Sequence, residues 1–179
     1  MADPTTWVDV ADNAVKIGLG ALLGGGFGLL LASLNNKSQV KKALYERRRE
    51  ILESIVDAVD STCNAAAVHW ATLANAVFKR DTNQRIADAD MSELTELERK
   101  FFASYTTLNG SAAKLMLLEE AACESKVVAL RAALDEFFGI AHVENEKCTK
   151  EALESHKSAI SAARRDLYSE IGKAYKRAV

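Results

Sequence analysis

Proline occurs once in this chain of 179 residues, at Pro4. From residue 5 onward nothing removes a backbone N–H or forces a helix to stop, so the sequence is built for long helices. Cysteine is scarce, with Cys63, Cys123 and Cys148 far apart and odd in number. There is no CxxC pair and no Cys/His spacing suited to zinc, which leaves small apolar core positions in a reducing compartment as the expected role. Catalytic signatures are absent as well: no HExxH, GxSxG, P-loop or GxGxxG opens a helix. The residues three before His69, His142 and His156 are Ala66, Gly139 and Leu153, which removes the Glu-x-x-His pattern of a carboxylate-bridged metal bundle. No enzyme, no metal and no cofactor is therefore expected. A formal net charge of −2 gives no reason to expect duplex nucleic acid as a partner.

Charge is also missing locally. Residues 17 to 34 carry none, and the stretch 14–34 reads AVKIGLGALLGGGFGLLLASL. As a helix it covers roughly 31 Å, close to the hydrocarbon thickness of a bilayer. Lys16 stands at its edge and Trp7 at interfacial depth. Asp3, Asp9 and Asp12 precede it, which is wrong for the basic start of a cleaved leader. Lys37, Lys41, Lys42, Arg47, Arg48 and Arg49 follow it. Positive-inside bias then implies a single-pass protein with its N-terminus outside and residues 37–179 cytoplasmic. Gly20, Gly24 and Gly28 recur every four residues opposite Leu19, Leu23, Phe27, Leu30 and Leu34. Such a small-residue row is an association signal and predicts a homo-oligomer through the span.

What is present beyond residue 37 is helical period. Leu52, Val56, Val59, Cys63, Ala66, Trp70, Leu73 and Val77 alternate at spacings of four and three, predicting one helix over 38–80. Residues 81–91 are a polar connection, and Asp90 with Glu93 three positions on predicts a second helix from about 91. Leu94, Leu97, Phe101, Tyr105, Leu108, Ala112 and Leu115 keep its apolar face, while Asn109-Gly110-Ser111 reads as either a kink or a turn. Val127, Leu130, Leu134 and Phe137 lead to Gly139, a suitable residue just past a helix end. Leu153, His156, Ile160, Ala163, Leu167, Ile171, Ala174 and Ala178 mark a last helix over 145–178. The expected fold is all-α: one N-terminal transmembrane helix in residues 1–36, then an antiparallel three- or four-helix cytoplasmic bundle in residues 37–179.

One cluster has the residue types of a ligand pocket. His69 and Trp70 are adjacent, Asn75, Lys79 and Arg80 follow on the same helix, and Arg85 lies in the next loop. An indole stacks on a base, an asparagine reads its edge, and lysine and arginine pair with phosphates. A filled core and a complemented helix dipole explain Trp70, Lys79 and Arg80 equally well. Arg164, Arg165, Lys173, Lys176 and Arg177 form a second basic group, with solvated surface as its default reading.

The glycine-rich span, the basic exit from Lys37 to Arg49 and the His69-Trp70 pair with Asn75, Lys79 and Arg85 downstream resemble a known layout. It is that of the small membrane-anchored effectors of type III CRISPR antiviral defence that bind cyclic tetra-adenylate. The resemblance implies a place in the inner membrane of a prokaryote, a cytoplasmic domain that binds a cyclic oligonucleotide, a tetramer matched to the ligand, and a membrane part that disrupts the bilayer. Two other readings fit the same residues: a membrane-tethered helical scaffold that binds another protein, and a ligand-independent holin-like pore.

Overall fold

A computed structural model describes the backbone of residues 7–177 and the side chains of residues 38–177. Among the described residues there are four helices and no strand: α1 (Trp7–Asp81), α2 (Asp88–Leu117), α3 (Ala121–Ile140) and α4 (Lys150–Arg177). The chain divides into two compact units, Met1–Glu46 and Arg47–Val179. The second is an up-down bundle of four helices, in keeping with short connections and apolar stripes.

The all-helical expectation is met, but the membrane helix is not. Among the described residues no helix is long and apolar enough to cross a membrane. The described side chains of α1 begin at residue 38, and Lys41, Lys42, Glu46, Arg47, Arg48, Arg49, Glu50 and Glu53 break any apolar run beyond it. The stretch 14–34, with its Gly20, Gly24 and Gly28 row, lies outside the residues whose side chains are described.

Helix ends follow local chemistry, and several differ from the periodic reading. α1 ends where Asn83 takes a positive φ of 53°. Asn83 N–H donates to the Arg80 carbonyl at 3.1 Å and Gln84 N–H to the Lys79 carbonyl at 2.8 Å. This six-to-one, five-to-two pair satisfies carbonyls that the last turn leaves open. α2 ends the same way at Glu119, φ 58°, with Glu119 N–H on Met116 and Glu120 N–H on Leu115. Its start lies at Asp88, not at about 91. Asp90 is not the residue before the helix but its third, and it accepts the Ala87 N–H at 3.0 Å. Asn109-Gly110-Ser111 forms no turn, because Leu108, Ser111 and Leu115 share the buried face and hold α2 continuous. Gly139 lies inside α3 rather than past its end. α4 starts at Lys150 rather than 145, because Asn145 Oδ1 accepts the Lys147 N–H at 2.9 Å and Thr149 Oγ1 accepts the Ala152 N–H at 3.2 Å. Those bonds hold 145–148 as a turn and make Thr149 the cap.

Two joined apolar clusters fill the bundle. One gathers Leu52, Ile55, Val59, Phe101, Leu108, Leu115, Val127, Leu130, Leu134, Leu167 and Ile171. The other gathers Leu73, Ala76, Val77, Leu94, Phe137, Val143, Cys148 and Leu153. Each fully buried leucine or phenylalanine contributes about 1.5–3 kcal/mol. α1 buries more than the expected seam: Ile55, Ala58, Thr62, His69 and Ala76 are buried as well, since it meets neighbours on two flanks. Thr62 Oγ1 donates to the Ala58 carbonyl at 2.8 Å and lies 3.1 Å from that of Ser104 on α2. Asp60, on the other flank, accepts from the Tyr168 hydroxyl at 2.5 Å and from Arg164 on α4. All three cysteines are free and buried. Burial, aided by Asp60 and opposed by Arg164, pushes the Cys63 thiol up to about 11, leaving it unreactive.

Candidate functional site

His69 and Trp70 are neighbours in sequence, but a helix turns about 100° between them, and they enter different parts of the bundle. His69 is 2% exposed. Its ring stacks on Phe138 with centroids 5.3 Å apart and meets Phe137 edge-on at 5.9 Å. Burial, reinforced by nearby His142, lowers its pKa to about 4, so the imidazole is neutral at ordinary pH. Its Nδ1 is buried without a hydrogen-bond partner. Trp70 turns toward α4, where its Nε1 donates to the Leu153 carbonyl at 2.9 Å and Lys157 Nζ lies 3.8 Å above the ring. With Cys63, Phe137, Ile160 and Arg164 it lines a cavity of about 100 Å³, too small for a nucleotide.

The cations expected to hold phosphate are engaged within the fold. Lys79 Nζ donates to Asp90 at 2.7 Å, joining the end of α1 to the start of α2. That bond, followed by the Ala87 N–H, holds the Asp90 carboxyl below its ordinary pKa. Arg80 reaches the 143–148 turn and donates to the carbonyls of Val143 at 2.7 Å, Asn145 at 3.4 Å and Cys148 at 2.9 Å. Asn75 and Arg85 are exposed, and neither lines a described cavity with His69 or Trp70. No described cavity is lined by all six residues.

At the opposite end, the last turns of α2 and α4, the start of α3 and residues 47–54 of α1 meet around one acid. Glu120 is 4% exposed. It accepts from Arg48 on α1 and from Arg177 on α4, the latter at 2.5 Å. Two guanidinium groups on one buried carboxylate tie three helices together, and each ion offsets the desolvation of the others. Tyr175 donates to Glu53 at 3.1 Å and carries the Arg49 guanidinium 4.9 Å above its ring. The α2–α3 turn projects from this end. Met116 is 67% exposed and Leu117 85% exposed, the two most solvated large apolar side chains described. Arg47, Lys114, Lys173, Lys176 and Arg177, on the segments that meet at this end, are exposed as well. Sequence reasoning did not find this tip, because it lies across a turn rather than along one stripe.

Fold and site together define an antiparallel four-helix bundle with an internally tied basic end and a protruding apolar turn. No family model, curated protein or solved structure matches this chain.

Proposed function

We propose that the bundle is a docking module that seats its α2–α3 end on the anionic face of a lipid bilayer. The observation that carries this reading is the exposure of Met116 and Leu117 at the α2–α3 turn, at the end of the bundle where the helices also carry exposed Arg47, Lys114, Lys173, Lys176 and Arg177. Methionine and leucine side chains gain about 1.5–3 kcal/mol each on leaving water. Lysines and arginines near an anionic surface add about 1 kcal/mol each, falling off within a Debye length. Partners within the fold lower that contribution for Arg47, paired with Glu50, and Lys173, paired with Glu170. Glu120 spends its charge internally on Arg48 and Arg177 and adds no repulsion at the surface.

This reading is preferred to binding of a cyclic oligonucleotide because Lys79 and Arg80 are committed to Asp90 and to the 143–148 carbonyls. A phosphate ring at that end has first to displace those bonds, and each displaced bond to a charged group costs about 1.5–3 kcal/mol.

The test uses the full chain carrying Leu117→Cys labelled with an environment-sensitive fluorophore. The three native thiols are buried and react slowly. Vesicles containing phosphatidylglycerol are expected to shift the emission to the blue, and purely zwitterionic vesicles to leave it unchanged. Lys173→Glu with Lys176→Glu is expected to abolish the shift. No shift with anionic vesicles, or a melting rise with cyclic tetra-adenylate that Arg85→Glu removes, overturns the reading in favour of the ligand-sensing one.

A further inference from the structure

The cavity of about 100 Å³ beside Trp70 lies between α1, α3 and α4. Its lining runs from buried Cys63, Ala66 and Phe137 to exposed Ala67, Lys157 and Ser161, so it has an apolar floor and an open mouth. Three of the four residues that α1 gives it, Cys63, Ala66 and Ala67, are small, which is why the helices leave a space there. Atoms beside an unfilled apolar space lack contacts on one side, so a hydrocarbon body that enters it gains dispersion and leaves water. An apolar cavity of about 150 Å³ accepts a benzene ring. This smaller one suits a short aliphatic chain.

The charges that line this cavity have one sign: Lys157 and Arg164 contribute to it, and no aspartate or glutamate does. The two cations are held differently. Arg164 is engaged, since it donates to Asp60 and its Nε lies 3.3 Å from the Tyr168 hydroxyl. Lys157 has a looser partner, Glu154 at 3.5 Å, in an exposed pair within one turn of α4. Such pairs hold weakly against a competing anion. Lys157 Nζ also lies 3.8 Å from the centre of the Trp70 ring, which is itself part of the cavity wall. The Trp70 N–H is committed to the Leu153 carbonyl at 2.9 Å, so the ring is fixed and the ammonium rests on a rigid support. An incoming anion finds a cation at the edge of an apolar space. An amine meets two cations and no carboxylate there.

We propose that this cavity binds a short-chain aliphatic carboxylate. The chain fills the space over Cys63, Ala66 and Phe137, and the carboxylate accepts from the Lys157 ammonium at the mouth in place of Glu154. The site is separate from the α2–α3 end, and its occupancy does not depend on bilayer docking.

The chain has two tryptophans, Trp7 and Trp70, so Trp7→Phe in the full chain leaves the cavity's own indole as the reporter. Titration with pentanoate is expected to change its fluorescence saturably, with pentanol and pentylammonium at least about tenfold weaker. Lys157→Gln, at an exposed position where the fold is not at stake, is expected to weaken pentanoate about tenfold or more and to leave pentanol unchanged. Ala66→Leu fills the floor and is expected to remove the response to pentanoate and pentanol alike; its melting curve reports whether the bundle stays folded. No saturable response at millimolar pentanoate, equal midpoints for pentanoate and pentanol, or a pentanoate midpoint untouched by Lys157→Gln overturns the proposal.

Discussion

Buried His69 makes the stability of this bundle depend on pH in a direction and amount that follow from its surroundings. Burial first, and the charge of His142 second, bring its pKa from 6.5 to about 4. Near neutral pH the ring is uncharged in both folded and unfolded chains and contributes nothing. As pH falls through 6.5 the unfolded chain takes up a proton that the folded chain refuses until about 4. Stability is therefore lost across that window at about 1.4 kcal/mol per pH unit, roughly 3 kcal/mol in all, and the loss levels off below it. Urea unfolding followed by circular dichroism, at steps between neutral pH and about pH 4, measures this for the natural chain and for His69→Gln. Carboxylates common to both proteins cancel in the difference. Glu98, His142 and Glu144 line a cleft beside His69, so changes in their own charge are read in both series. The expected result is a gap between the two curves that widens by roughly 3 kcal/mol as pH falls. Curves that stay parallel refute the assignment of a buried, neutral imidazole.

Four other perturbations test the tertiary ties. Glu120→Gln leaves Arg48 and Arg177 without their shared carboxylate; a loss of about 2 kcal/mol is expected by chemical denaturation, less than for a fully buried pair because Arg177 is half exposed. Glu119→Gly relieves a positive φ of 58° in a residue with a Cβ and is expected to raise stability by about 1 kcal/mol, seen as a higher melting temperature. Leu130→Ala, at a fully buried position of α3, is expected to cost about 2–5 kcal/mol in the same assay. Arg80→Ala frees the carbonyls of Val143 and Cys148 and is expected to speed hydrogen exchange in the 143–148 turn before it affects the α2–α3 end.

Much of the bundle was legible because helical period is a local property. A chain without proline beyond residue 4 and with apolar residues every three or four positions has few alternatives to long amphipathic helices. The seams at Leu52, Val59, Leu73, Leu108, Leu115, Leu130, Leu134, Leu167 and Ile171 became core for that reason. Sequence also fixed which residue types were available to Asn83 and Asn145, whose short side chains suit left-handed and turn conformations. Spacing alone left open whether Asn109-Gly110 breaks α2; packing decided it, since Leu108, Ser111 and Leu115 have to face one core together.

Pairings across helices depend on three-dimensional placement that no window of sequence contains. Glu120 lies far along the chain from both Arg48 and Arg177, so nothing in its own stretch of sequence shows that it is buried under two guanidinium groups. Lys79 and Arg80 read equally as phosphate ligands until Asp90 and the 143–148 carbonyls come within bonding distance. His69 and Trp70 share a sequence neighbourhood but not a cavity, because one step along a helix turns each toward a different neighbour. Composition and period select the helices, whereas the angles at which they meet assign each charge a partner, and only the folded chain sets those angles.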